Sequence, residues 1–465
     1  MGRRMRAAAG AFAAAIACAV PAAQADDVDL IPQAVRQAAP APPVASARAV
    51  KLSLEDALSL WSLRAPVVPV PGGASIDARN RTSLDLRGRW RMQGDLEFSF
   101  SDRLSAVEQN NFAFPSSQTP RNDWREGYFT WEPAPRGYLE AGRINVRNGV
   151  ALGFNPTDFF KTRTLVDQIS QDPSALRENR LGTFMLRGEK IGAGGSASIA
   201  WAPRLYSPAP LPGAAPVAGL RAGLERTNAA DRLLLGTSFE LAGLNPQVLL
   251  YRDDDGTRLG LNLSRVLGRS VVLYAEWAGG RSRNLIARAL AYGRETGTLP
   301  ANAPPVLPTD PDEKFRNDLA LGFSWTGTAK FTINAEYLYH QAGLSRQDWR
   351  NWFATGAAQA GSLPVTGALW YLRAYAADQQ EPATREQLFL RAAWSDAFVP
   401  QLELSALAFV NLYDRSALAQ LGASYYLSDA WTLGAYLSAN LGRADSEHGS
   451  LPQARSAVLQ ALHYF

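Results

Sequence analysis

Cysteine occurs once in the 465 residues, at Cys18, so the body of the chain has neither disulfides nor cysteine metal sites. Long apolar runs are missing too. Beyond the N-terminal segment no stretch of 18 apolar residues exists, which excludes helices that span a bilayer. Histidine appears only at positions 340, 448 and 463, too scattered in sequence to suggest a metal site. The motifs of hydrolases, P-loop proteins, zincins and dinucleotide-binding enzymes are absent, so no cofactor, no metal and no catalytic residue is expected. Lysine is also scarce: only five of the 47 basic residues are lysine, which leaves 42 arginines.

The N-terminus carries the features of an export signal. Arg3, Arg4 and Arg6 precede the apolar run Ala7 to Val20, and Ala23-Gln24-Ala25 has the small-x-small form of a cleavage site. Acylation of Cys18 would need a better lipobox than Ala15-Ile16-Ala17-Cys18. Removing residues 1–25 takes away three arginines and lowers the net charge from +4 to +1, so nothing in the charge points to nucleic acid. Residues 26–80 form an Ala/Pro-rich segment. Within it Leu54, Ala57, Leu58 and Trp61 predict a short helix over 54–64, read as an arm on the main body or as a plug.

From residue 81 the period is two. Leu84, Leu86, Trp90, Met92, Leu96, Phe98 and Phe100 take even positions while Asp85, Arg87, Arg89, Arg91, Asp95 and Glu97 take odd ones, predicting a single strand over 84–101. The alternation returns in residues 257–265, 318–325, 331–340 and 431–440, with Gly, Ser, Asn and charge on the polar face. That face suits a wet interior better than a packed core. Sixteen strands (14 to 18) follow between 84 and 465, joined alternately by long connections such as 148–179, 282–314 and 342–383 and by tight turns. An all-β fold, a transmembrane antiparallel barrel over 81–465, is the expectation. Trp131, Trp277, Trp325, Tyr339, Trp394, Tyr425 and Trp431 share the apolar parity near strand ends, as interfacial girdles do.

Arg87, Arg89, Arg91, Arg143, Arg147, Arg187 and Arg258 are the candidate bore-lining cations, and Glu97, Glu240, Glu276 and Glu336 the facing carboxylates. Arranged as opposed rows they would set a transverse field or grip anions; as local pairs they would only brace the wall. The connection 148–179 is too apolar for a solvated loop, and its Phe154, Asn155 and Asp158 would narrow the bore if it folds inward, in the manner of a porin constriction loop.

Two stretches resemble known families. The chain ends on an alternating strand with Phe465 last, similar to the terminal signal read by the barrel-assembly machinery, although Ala461 and His463 replace bulkier residues. Arg125-Glu126-Gly127 followed by Gly142-Arg143 resembles the "RE…GR" hairpin of outer-membrane barrels of the alginate-export type and related porins, with Ile144 where that family more often has Gln. The resemblance covers one hairpin and implies that Arg143 faces the lumen. Together these readings predict a channel in a bacterial outer membrane for hydrophilic, anionic solutes or a polysaccharide, in contact with lipid and able to meet a periplasmic partner. The alternative is a non-conducting barrel that binds ligands through 282–314 and 342–383 or modifies lipids.

Overall fold

Alternating sequences form a barrel because each strand then offers one apolar face outward while every backbone N–H and C=O finds a neighbouring strand. The computed structural model describes residues 48–71, 76–92, 94–109, 121–166, 169–211 and 223–465; the expected export signal and residues 26–47 and 72–75 of the Ala/Pro-rich segment lie outside them. Eighteen strands make one antiparallel sheet. They are β1 Arg48–Leu63, β2 Ala78–Arg91, β3 Leu96–Gln109, β4 Arg121–Ala134, β5 Gly137–Ile144, β6 Thr183–Gly192, β7 Gly195–Ala202, β8 Arg232–Phe239 and β9 Gln247–Asp253 in the first half. The second half holds β10 Gly256–Leu267, β11 Val271–Ser282, β12 Lys314–Thr326, β13 Phe331–His340, β14 Glu386–Trp394, β15 Leu402–Asn411, β16 Ala417–Ser428, β17 Trp431–Leu441 and β18 Gln453–Tyr464. β1 pairs with β18 as well as β2, from Ser53 opposite Tyr464 to Leu63 opposite Gln453, so the sheet closes without an edge.

Eighteen strands stand where sixteen were expected, and both additions have a physical cause. The predicted helix over 54–64 is β1. Leu52, Leu54, Leu58 and Leu60 face outward and Ser53, Glu55, Ala57 and Ser59 inward, but Asp56 interrupts the outward row and imitates a helical stripe. Asp56 accepts hydrogen bonds from Asn80 and Thr82 of β2. The barrel therefore begins at 48 rather than 81, and this segment belongs to the wall, not to a plug or arm. The predicted strand 84–101 is a hairpin, β2 and β3, centred on Gly94. Antiparallel partners around an even-numbered centre, such as Trp90 with Phe98, keep even residues on one face. The alternation therefore runs through the turn unbroken, and only Gly94 at φ +72° marks it.

The other strands match the sequence reading within a few residues. Connections after even-numbered strands are short, among them 135–136, 193–194 and 429–430. The long ones, 145–182, 203–231, 283–313 and 341–385, gather at the opposite end. The outer face is apolar: Leu250, Leu259, Leu321, Leu390, Leu421 and Leu433 are exposed there. Trp131, Trp325, Trp394, Tyr425 and Trp431 ring the short-turn end, with Trp277 and Tyr339 toward the other.

Inside the long loops, among the described residues, are five helices: α1 Pro173–Glu178, α2 Leu224–Thr227, α3 Leu285–Glu295, α4 Arg346–Ala358 and α5 Leu363–Asp378. Asn284 caps α3, and Ser345 with Asp348 forms a capping box on α4. Trp349, Trp352 and Phe353 of α4 meet Leu369, Leu372 and Tyr375 of α5 and Leu285 of α3 in a core that also takes in Val68 and Leu211. The connections proposed as separate ligand-binding loops are thus packed together into one helical cap at the long-loop end.

Candidate functional site

The connection 145–182 folds into the barrel, and wall carboxylates hold it there by its backbone. Glu276, inward on β11, accepts from the amides of Val150 and Ala151 at 3.0 Å each, from Thr157 N–H at 2.7 Å and from Thr157 Oγ1 at 2.8 Å. Glu336 on β13 accepts from the amides of Leu152 and Gly153 at 2.7 and 2.8 Å and from the Tyr274 hydroxyl at 2.7 Å. Gly149, at φ +90°, passes so close that a Cβ would lie 2.5 Å from the Glu276 carboxylate. These contacts take the loop from β5 across to β11 and β13.

Residues 154–161 form a buried knot. Phe154 stands edge-on to His340 with ring centroids 5.8 Å apart and lies under the Lys161 ammonium at 4.1 Å. Lys161 Nζ also donates to the Asn155 carbonyl at 2.6 Å, and the Asn155 side chain donates to the Ala151 carbonyl. Asp158 receives Arg180 through both oxygens at 2.8 and 3.1 Å, with Arg177 at 3.9 Å. Burial alone would raise the Asp158 carboxyl, but Arg180 and Arg177 hold it below the ordinary carboxylate range. Desolvation lowers the Lys161 ammonium.

The returning half of the loop is tied to two walls. Asp172 takes Arg391 of β14 at 2.7 Å, and Gln420 of β16 accepts the Gln171 amide at 3.0 Å. Asn179 accepts from Arg87 of β2 at 2.5 Å and Arg125 of β4 at 2.9 Å. Behind Asn179, Asp85 collects Arg125 at 2.6 Å, Arg103 at 3.1 Å and Arg87 at 3.2 Å, while Glu55 of β1 pairs with Arg81. The loop therefore crosses the bore, with anchors on β2 and β4, on β11 and β13, and on β14 and β16.

The expected charged residues divide into several groups. Arg87 joins the Asp85 network and keeps its side chain partly open; Arg89 is exposed and pairs with Glu97 at 3.1 Å; Arg91 is exposed nearby. Arg187 lies between Glu140 at 2.7 Å and Glu189 at 2.6 Å. Arg258 faces inward below the cap. Glu276 and Glu336 hold the inward loop instead of facing an arginine row, and the arginines of β2 to β4 find their carboxylates on the same wall. Local pairing is thus the arrangement observed, in place of opposed rows.

Three positions need correction. Arg147 lies past the end of β5, in the inward loop. Glu240 lies past the end of β8, exposed in a turn, because the strand stops at Phe239. Arg143 belongs by register to the outward row of Leu139 and Ala141, opposite Gly127 and Phe184. It is fully buried there, its Nε donating to the Gly182 carbonyl at 2.9 Å and its guanidinium 5.4 Å from the Trp124 ring. Sequence reasoning missed Glu55, concealed by the helical reading of β1, and Arg103, Arg125, Asp172, Arg180 and Arg391, whose partners lie far away in the chain.

The cap rests on this loop. Arg163 bonds Asp378 at 3.1 Å, and Gln380 donates to Thr164 Oγ1 at 3.0 Å. Arg373 of α5 packs against the rings of Trp349, Trp352 and Trp370 at 5.5, 5.4 and 4.9 Å and reaches Ser450 Oγ and the Glu447 carbonyl at 2.8 and 2.7 Å. Burial draws its guanidinium down to about 10.

A closed barrel with a lipid-compatible exterior and a polar, loop-crossed interior defines a transmembrane β-barrel of the outer-membrane type. No protein-family model and no curated protein matches the sequence. Among solved structures the fold is similar to Pseudomonas aeruginosa OccK5 (OpdH), at 9% identity and TM-score 0.50 over 90% of this chain and 98% of that one. Similarity extends to OccK11 (OpdR) of the same organism, at 8% identity and TM-score 0.47 over 90% and 96%. A triple mutant of the Rhodopseudomonas blastica porin follows, at 8% identity and TM-score 0.40 over 90% and 100%. The shared property is the fold, a closed antiparallel β-barrel of the porin kind.

Proposed function

We propose that the protein is a channel through which small hydrophilic solutes diffuse passively across the outer membrane. The observation that carries this reading is the anchored loop 145–182, a constriction built from polar contacts inside a closed wall, with the charged side chains of Arg87, Arg89, Arg91 and Arg187 left on the inner face. A barrel whose only task was to display surface loops would have no use for a loop fastened across its own bore. Anions are the favoured solutes because the inner wall of β2 to β4 holds more arginines than the carboxylates that pair with them. A polysaccharide of the alginate type would need the loop displaced along its length, so a small solute suits the geometry better. Assembly would use the C-terminal strand and Phe465. Purified protein in planar bilayers tests the proposal: discrete conductance steps with a reversal potential favouring anions are expected, and a bilayer that stays silent with folded protein inserted would overturn it.

A further inference from the structure

A second site lies between the cap and the wall. The inward face of β11 becomes small toward the long-loop end, with Ala278, Gly280 and Ser282 in succession, and Arg258 of β10 lies along this hollow opposite Gly280. The pocket so formed is partly open and is completed by Arg316 and Asp318 of β12, His340 of β13, Arg288 of α3 and Glu381 beyond α5.

Its charges do not balance. Glu381 is taken up by Arg288, through both oxygens at 3.2 and 2.6 Å, and Asp318 by His340 Nδ1 at 2.8 Å. That leaves two guanidiniums. Arg258 makes no hydrogen bond and no ion-pair contact within 4.0 Å among the described residues, the carboxylate that acts on it most being Asp253. Arg316 gives its Nε to the Ser282 carbonyl at 3.0 Å, and its nearest carboxylate, Asp310 at 3.8 Å, already holds Lys314 at 2.5 Å. Two buried guanidinium nitrogens around the same space also find no hydrogen-bond acceptor, Arg316 Nη2 and Arg288 Nε, while His340 Nε2 stands 3.5 Å from Glu381 Oε2. Buried donors without acceptors are rare in folded proteins because nothing replaces their lost hydration. Donors on the wall and on the cap that converge on one cavity are matched by an acceptor placed between them.

We propose that this pocket binds one small oxyanion, the carboxylate of a small organic acid or inorganic phosphate, with Arg258 and Arg316 as its ligands and Arg288 closing it from the cap. Forked guanidiniums present paired donors that fit either anion. Bound there, the anion joins the wall to α3 just above the constriction, where Phe154 packs against His340. As a capture step for a permeating solute this rests on the channel reading; as a binding site it does not.

The test is calorimetric titration of the full-length protein in detergent with sodium phosphate and, separately, sodium acetate, at fixed ionic strength in chloride. Saturable one-to-one binding of either anion is expected, and the anion that binds identifies the chemistry. Arg258→Met should weaken binding at least about tenfold, because a charge-assisted contact is removed, while Arg258→Lys keeps part of it. Arg258→Met also takes the guanidinium away from the Asp253 carboxylate, so a heat-modifiable gel shift checks that the variant is folded. Absence of saturable binding for both anions, or binding unchanged in Arg258→Met and Arg316→Met, would overturn the site. Binding without conductance leaves the site standing and removes the channel; conductance without binding does the reverse.

Discussion

Glu276→Ala combined with Glu336→Ala should release the inward loop. In the folded wall these two carboxylates accept five backbone amides of residues 150–157, together with the hydroxyls of Thr157 and Tyr274. A hydrogen bond to a charged group is worth about 1.5–3 kcal/mol net, and five of them bound the loss from above at about 15 kcal/mol. Water reaches the freed amides once the loop moves, so a realistic loss is about 4 kcal/mol, or three orders of magnitude in the preference for the crossed arrangement. Arg391 to Asp172 and the Asn179 contacts still hold the other half, so the expected outcome is a wider, noisier bore and not an unfolded barrel. Single-channel recording of the double variant should show conductance raised several-fold over the parent. A variant that is folded by its heat-modifiable mobility but conducts as the parent does would refute the reasoning, since it would separate these carboxylates from the constriction.

The remaining predictions follow from the ion pairs. Burial would raise Glu381, but Arg288 and His340 hold its carboxyl below its ordinary value, as the arginines do for Asp158. A carboxyl depressed in the folded state stabilises above its unfolded pKa of about 4 and loses that contribution as the pH falls through the folded value. The Arg288–Glu381 pair should therefore keep its contribution to the cap from neutral pH to about 5 and lose it only below about 4; proteolysis within 341–385 that rises with a midpoint near neutrality would contradict this. Arg373→Ala removes a guanidinium held by three indole rings and two hydrogen bonds, and should cost the cap about 3 kcal/mol. Faster proteolysis within 341–385 with an intact barrel is the expected reading, and equal rates would count against it. Asp85→Ala leaves Arg87, Arg103 and Arg125 without their shared carboxylate, and should destabilise the barrel by about 3–5 kcal/mol. The temperature at which the folded band disappears on a gel should fall; an unchanged temperature would show the network to be dispensable.

The wall was legible in the sequence because membrane strands obey one rule along their length: apolar out, polar in, every second residue. The rule failed where a local exception imitated another period. Asp56 in the outward row turned β1 into a helix on paper, and the even-centred turn at Gly94 joined two strands into one. Contents of the bore were less legible. The apolar run of 148–179 pointed away from solvent, since Phe154, Phe159 and Phe160 have to be buried, and fitted an inward loop and a helix across the mouth alike. Its fastening was not legible, because Glu276 and Glu336 lie more than a hundred residues away from the amides they hold. Parity shows which face a carboxylate is on; it is silent about whether that carboxylate meets an arginine, a backbone amide or water. Arg143 shows the limit even for parity, since the hairpin suggested a lumenal arginine and the register places it in the outward row beneath loop backbone.

The cap and the constriction behave as one body rather than two gates. Arg163 of the inward loop bonds Asp378 of α5 by side chain at 3.1 Å and by backbone at 2.8 Å, and Gln380 reaches Thr164 from the other side. Lys161, over the Phe154 ring, lies within the electrostatic reach of Glu381, the residue that fixes α3 through Arg288. Lifting α5 therefore pulls on 161–164, and moving 150–157 removes the floor on which His340 and Glu381 are set. Bistable packing of this kind moves as a unit, because a partial displacement breaks buried charge pairs without restoring their hydration. The two carboxylate substitutions on β11 and β13 should accordingly also increase cleavage in 341–385, at a distance from either side chain. A cap that stays protected while the conductance rises would show that the constriction moves alone.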